Sequence, residues 1–226
     1  MTDYNIQEII DYLSGFITEH RFETFKKVLS NRTRYCTVVL EDIYQPHNAS
    51  AVLRSCDCFG IQDVHIIEKE NEFRPDKEIT MASDKWLTLK RYESGNDSTE
   101  KCINSLRSNG YRIVATTPHV DDCSLQKFDT TKGKFAIFFG SELRGLSDYT
   151  LQNADEYLKI PMFGFTESLN ISVSAAIILQ HCAMQIRQKE IDWRLTTAEL
   201  NEILELWLRQ SIKDSQKIIN RKFSTR

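Results

Sequence analysis

What this 226-residue chain lacks narrows its possibilities first. No stretch approaches the roughly 18 consecutive apolar residues of a membrane-spanning helix. Met1-Thr2-Asp3-Tyr4 shows none of the basic-then-apolar order of a secretory leader, so a cytoplasmic location is expected. The six cysteines form no C-x-x-C pair and the five histidines are scattered. A structural metal needs clustered ligands, so none is expected; the cysteines read as small buried thiols. The usual nucleotide fingerprints are missing too. There is no G-x-G-x-x-G after a strand. Gly140-Ser-Glu-Leu-Arg-Gly145 has the glycine spacing of a P-loop without its Lys-Ser/Thr. There is no G-x-S-x-G nucleophile elbow either.

What is present is an ordinary globular composition, 41% hydrophobic and 27% charged, enough for one main domain with helical additions. Net charge is −3, which by itself speaks against a nucleic-acid partner, but the charge is uneven. Segments 20–34 and 208–226 carry +4 and +5, leaving −12 on the rest. Basic ends on an acidic body suit phosphate contact by the ends. Arg21, Lys26 and Arg32 in the first segment, with Lys217, Arg221 and Lys222 in the second, are the candidate RNA contacts.

Five short runs rich in β-branched and aromatic residues read as buried strands: 37–40, 64–67, 112–116, 135–139 and 157–160. Helical patterns lie between and around them, at 49–59 (stopped by Gly60), 98–108 (stopped by Asn109-Gly110) and 170–189. Residues 5–29 read as one or two helices, and 196–220 as a single helix opened by a capping box, Thr196 with Glu199. Residues 69–81 are charged and without period, hence a surface loop. Alternating strands and helices give an α/β fold with a mainly parallel sheet. The expected divisions are a basic helical extension at 1–34, the α/β domain at 35–190 and a basic helical extension at 191–226.

Three segments are too polar for their places. In 41–54 a strand end runs into a helix, with Asn48 placed as N-cap and Arg54 under two turns on. A helix N-terminus and a forked guanidinium both suit an anion. In 138–147 a strand ends in a glycine-bracketed loop, where backbone can approach a ligand closely. In 158–176 a strand ends at Pro161 and a loop enters a helix through Ser168 and Asn170, each a possible cap. Ligands of open α/β sheets bind beyond the carboxyl ends of strands, where all three segments fall.

Asn48 with Arg54, Gly140-Ser-Glu142 through Gly145, and Ile160-Pro-Met162 followed by Ser168-Leu169-Asn170 resemble, in order and spacing, the three signature motifs of the SpoU/TrmH branch of the SPOUT methyltransferases. The resemblance extends to Met81-Ala-Ser-Asp-Lys-Trp86 and covers roughly residues 20 to 215. Trp207 and the basic tail resemble the tRNA guanosine-18 enzymes more than the ribosomal RNA relatives.

The resemblance implies a deep C-terminal trefoil knot, S-adenosylmethionine as cofactor, a homodimer, and methyl transfer to a ribose 2′-hydroxyl, with tRNA guanosine-18 as the leading target. Another tRNA position, ribosomal RNA, or a non-catalytic RNA-binding member of the fold are its alternatives. It places the cofactor against Thr116, Gly140, Gly145, Ile160, Met162 and Leu169. It implies catalytic roles for Arg54, Asn48, Glu142, Ser168 and Asn170, and assigns deprotonation of the hydroxyl to the arginine matched by Arg54. A guanidinium is protonated at every ordinary pH. Arg54 is therefore either a base only in the bound complex or a cation that grips a phosphate and orients the ribose.

Overall fold

The computed structural model describes residues 5–93, 95, 97–117 and 123–223; Met1 to Tyr4 of the leader reading and Arg226 of the basic tail lie outside them. The chain divides into two compact units, residues 33–193 and the two ends, 1–32 with 194–226. The two ends of the chain lie together in one unit.

Residues 33–193 carry a seven-stranded sheet: β1 (Cys36–Glu41), β2 (Asp63–Ile67), β3 (Thr88–Tyr92), β4 (Arg112–Thr116), β5 (Cys123–Ser124), β6 (Phe135–Phe139) and β7 (Glu156–Lys159). The order is β3-β2-β1-β6-β4-β7-β5 and every pairing is parallel. Five of these strands are those read from the sequence. β3 escaped because it is an edge strand with Lys90 and Arg91 exposed to water, and β5 because it is two residues long.

The central strands bury both faces, which is why they read as unbroken apolar runs. Val38, Leu40, Ile137 and Phe139 point to one side, into a core with Val52, Leu53 and Cys56 of α3 (Pro46–Phe59) and with Ala175, Ile178, Leu179 and Cys182 of α7 (Ile171–Gln188). Val39, Ala136 and Phe138 point to the other, against Cys102, Ile103 and Leu106 of α5 (Ser98–Ser108). α3 is closed by Gly60 in the left-handed conformation at φ 77°. Residues 69–81 are more than a surface loop. They include a short helix, α4 (Lys77–Thr80), and Phe73 enters the main core. Four cysteines are buried as expected, but Cys58 is exposed on α3 and Cys123 is half-buried.

The terminal unit contains α1 (Ile6–Ser14), α2 (Glu19–Leu29), α8 (Thr197–Ser211) and α9 (Ser215–Phe223), with the short α6 (Asp148–Gln152) belonging to the sheet unit. The capping box of Thr196 and Glu199 opens α8 as expected. The expected single helix at 196–220 is two, interrupted near Asp214, whose φ is 57°. α8 packs on α1 and α2, with the Phe25 and Trp207 rings edge to face at 5.6 Å. Arg32 is a correction to the expected RNA contacts: it is only 1% exposed, its guanidinium 5.5 Å from the Trp207 ring, because its aliphatic stem and flat head suit an aromatic surface.

Candidate active site

Beyond the carboxyl ends of β4, β6 and β7 lies a cleft of about 620 Å³. It is walled by 116–117, 139–146, 158–160 with Met162, and 167–171, with Gln45, Leu151, Ser174 and Ile178 completing it. Thr116, Gly140, Gly145, Ile160, Met162 and Leu169, which the resemblance places against the cofactor, all line this one cleft. Glu142, Ser168 and Asn170 line it as well.

The glycine wall has a definite shape. Ser141 and Gly145 exchange backbone hydrogen bonds, Ser141 N to Gly145 O at 3.0 Å and Gly145 N to Ser141 O at 2.9 Å, so 141–145 is a small closed loop. Gly145 sits at φ 67°, which favours glycine. A Cβ on Gly140 would fall 2.1 Å from the Gly145 carbonyl carbon, so only glycine fits there. Thr116 turns its hydroxyl away into the sheet, donating to Phe138 O at 2.7 Å, and therefore offers the cleft backbone and methyl surface.

Asn48 is not the N-cap of its helix. Pro46 occupies the first helical position, where a fixed φ and a missing N–H cost nothing, so the helix starts earlier and Asn48 falls inside it. Gln45, the actual cap residue, makes no side-chain capping bond. A carboxylate from another segment takes that place. Glu142 accepts from Tyr44 N at 3.2 Å, from Gln45 N at 3.4 Å and from Asn48 Nδ2 at 2.6 Å. A negative charge beside a helix N-terminus is favourable.

Asn48, 2% exposed, also donates to Gln45 Oε1 at 2.9 Å and accepts at Oδ1 from Asn170 Nδ2 at 3.1 Å. Asn170 caps α7 through Ser172 N at 2.8 Å. A chain of hydrogen bonds thus runs Glu142–Asn48–Asn170 and joins the N-termini of α3 and α7 to the glycine loop. Ser168, also a possible cap, is exposed at the cleft and caps nothing; Asn170 alone has that role.

Arg54 stands apart from this chain and from the cleft lining. It is exposed on α3, on the helical face it shares with His47, seven residues earlier. It makes no hydrogen bond or ion pair among the described residues. α3 packs against α4 and against the turn Ser83–Trp86.

Among the remaining basic candidates, Arg21, Lys26, Lys217, Arg221 and Lys222 are exposed. Lys26 pairs with Glu23 and Lys217 with Asp214, each at 2.9 Å. Arg21 donates to Ser211 Oγ at 3.3 Å, which brings the basic α2 and the end of α8 together.

Sequence reasoning missed one polar centre. Glu41, at the end of β1, is 2% exposed and accepts five hydrogen bonds: from Ser147 N (3.1 Å), Ser147 Oγ (2.7 Å), Thr150 Oγ1 (2.9 Å), Thr99 Oγ1 (2.9 Å) and Lys69 Nζ (3.0 Å). Burial pushes its pKa up, but the bonds from Ser147 and Lys69 outweigh this and hold it below the ordinary carboxylate value. Its partners lie 28 to 109 residues away, so no local pattern could have revealed it.

Residues 35–180 match the SpoU rRNA Methylase family. The chain belongs to that family. A tRNA (guanosine(18)-2'-O)-methyltransferase of Borreliella burgdorferi is 42% identical over 218 residues, covering 96% of this chain and 98% of that protein. Another, of Thermus thermophilus, is 33% identical and covers 85% and 98%. Among solved structures, the A. aeolicus TrmH/SpoU tRNA modifying enzyme superposes with a TM-score of 0.76 at 26% identity, over 86% of this chain and 98% of that one. The SpoU match spans the whole cleft and α3, whereas the terminal helices lie outside it.

Proposed function

We propose that this chain transfers the methyl group of S-adenosylmethionine to the ribose 2′-hydroxyl of guanosine-18 in tRNA. The observation that carries the reading is the full-length likeness to a guanosine-18 methyltransferase, which includes the terminal helices as well as the cleft. The residues present fit the cofactor. A cleft of about 620 Å³ lies within the range for small-molecule sites, roughly 300–1,000 Å³. Its walls are the loops that leave three strand ends, whose backbone suits the edge of an adenine, and Gly140 lets the 141–145 loop close tightly against it.

The bound cofactor supplies an electrophilic methyl group. Gly140, Gly145, Ile160, Met162 and Leu169 shape and dry its pocket, while Glu142, Asn48 and Asn170 lock the two helix starts against it. Arg54, exposed and uncommitted within the chain, takes the role of orienting cation. Its planar fork would grip a phosphate beside the target ribose and fix the hydroxyl for attack; as the methyl passes to the oxygen, S-adenosylhomocysteine would be the leaving group and the hydroxyl proton would go to solvent water. Exposed Arg21, Lys26, Lys217, Arg221 and Lys222 hold other phosphates of the tRNA.

A homodimer belongs to the same reading. Val173, Ile177 and Met184 form an exposed apolar stripe along α7, with Gln180 between them, and Phe163 and Phe165 stand fully in water beside the cleft. Surfaces of this kind mark interaction sites, and a second copy covers both. The trefoil threading goes with this reading too, supported by the insertion of β7 between β4 and β5. A cytoplasmic location follows from the tRNA substrate; no helix among the described residues is long and apolar enough to cross a membrane.

The test is methylation of a tRNA transcript with labelled cofactor. Label is expected on guanosine-18 and absent when that nucleotide is 2′-deoxy. Undiminished labelling of the deoxy transcript would overturn the assignment.

A further inference from the structure

We propose that Glu41 is a positioning residue for the cofactor cleft: its carboxylate holds Ser147, and through Ser147 the backbone wall formed by 140–146. The inference rests on the reading of the cleft as the S-adenosylmethionine pocket. The wall leaves β6 at Gly140 and re-enters regular structure at Ser147, the N-cap of α6. Between these points it is tied outward at Glu142, to the start of α3, and at Arg144, whose Nη1 donates to Glu70 Oε1 at 2.6 Å. The Arg144–Glu70 pair is exposed and screened by salt.

The tie at Ser147 is different in kind. Both its N–H and its hydroxyl donate to a buried carboxylate that is itself held by Thr99, Thr150 and Lys69. Leu146, the neighbour of Ser147, lines the cleft directly. The side of Glu41 away from the cleft is built with equal care. Asp42 lies at φ 54°, and its Oδ1 accepts from the backbone N–H groups of Lys69, Glu70 and Asn71 at 2.9–3.1 Å. One stretch after β2 thus delivers Lys69 to Glu41 and Glu70 to Arg144. The end of β1 grips the cofactor wall from beneath.

An ionised carboxylate accepts from all five donors at once. An amide cannot, because its nitrogen is itself a donor. The hydroxyls of Thr99 and Thr150 can turn to accept from it, but the Ser147 N–H and the Lys69 ammonium cannot.

The test is binding of S-adenosylhomocysteine, measured by calorimetry without RNA, to wild type, Glu41→Gln and Thr99→Val. Glu41→Gln is expected to raise Kd on the order of tenfold, the weight of a lost hydrogen bond to a charged group. It should raise KM for S-adenosylmethionine similarly and leave kcat at saturating cofactor within about threefold of wild type, since a positioning defect is relieved once the pocket is filled. Thr99→Val removes a bond to the same carboxylate that comes from α5, which does not line the cleft; it should lower Tm and leave Kd unchanged.

A merely structural Glu41 would lower Tm in both variants and move Kd in neither, and that result overturns the proposal. Should Glu41→Gln fail to fold, Ser147→Ala removes one of the two ties, and an unaltered Kd there overturns it equally. Failure of the wild type to bind overturns the cofactor reading itself, and this inference with it.

Discussion

Replacing Asn48 by aspartate changes one atom type at the centre of the hydrogen-bonded chain and tests whether that chain holds the site together. In the native protein Asn48 Nδ2 donates to Glu142 Oε1 at 2.6 Å. In Asn48→Asp a second carboxylate oxygen takes the donor's place. Two full charges at that separation repel by roughly 6 kcal/mol at an effective dielectric of about 20. The variant avoids part of this by keeping a proton. Holding a proton on a carboxyl about three pH units above its ordinary pKa costs about 4 kcal/mol at pH 7. Glu142 is half-buried, and solvent reduces the figure to about 2–4 kcal/mol.

The sign follows from linkage. The introduced carboxyl has a folded-state pKa above its unfolded value, so the penalty is absent near pH 4 and grows as pH rises toward 7. At the acid end the introduced carboxyl is protonated and again offers a donor to Glu142. Urea unfolding at pH 4.5, 6 and 7.5 measures the effect. The double variant Asn48→Asp with Glu142→Gln, in which the amide and the carboxylate exchange places, should recover at least half the loss at pH 7.5. An Asn48→Asp protein within about 0.5 kcal/mol of wild type at pH 7.5, or one whose deficit does not shrink on acidification, would refute the reasoning.

Three further outcomes are expected. Arg54→Lys should leave stability within about 0.5 kcal/mol, since the residue is exposed with similar helix propensity. It should nonetheless lower single-turnover methylation on the order of a hundredfold for want of the planar fork; a rate within threefold of wild type would mean that Arg54 does not orient the ribose. Replacing Lys217, Arg221 and Lys222 together by glutamine should flatten the salt dependence of tRNA affinity by about two to three units of log–log slope, because fewer counterions are released; an unchanged slope assigns α9 no phosphates. His65, buried and packed on Tyr92, is pushed down to about 4 by burial and by Lys90, with Asp63 opposing. Its folded pKa is below its unfolded one, so its cost appears as pH falls from 6.5 to 4 and reaches about 3 kcal/mol. His65→Phe should flatten that part of the stability profile, read by urea midpoints at pH 4.5 and 7.

The sequence made the sheet legible where a strand is covered on both faces. β6 is apolar throughout and β1 nearly so, whereas β3 sets the adjacent cations Lys90 and Arg91 in its middle at an open edge and looks like loop. The residues that line the cleft were legible as one group because their motifs all follow strand ends, and topology sends those ends to one rim of a parallel sheet. Roles were harder to read than places. Asn48 was recognised as a polar residue at a helix start, yet Pro46 shifted the start and turned a presumed cap into a buried bridge. Arg32 was legible as a charge but not as a buried neighbour of Trp207, because burial depends on α8, far along the chain. Glu41 and the capping by Glu142 are contacts between distant segments, which neither period nor composition can announce.

The composition of the helical unit has a consequence for how the chain is made. α1 presents Ile9, Ile10 and Leu13 to a core completed by Ile203, Trp207 and Leu208 of α8. During synthesis the first helices leave the ribosome about 160 residues before the helix they pack against. At roughly 5–20 residues per second this is a wait of about 10–30 s. The intervening α/β unit has time to fold, since its own two ends meet where Thr33 Oγ1 donates to the Trp193 carbonyl at 2.5 Å. α1 meanwhile displays a bare apolar face, a ready substrate for a holding chaperone, and the basic helical unit is the later of the two to assemble.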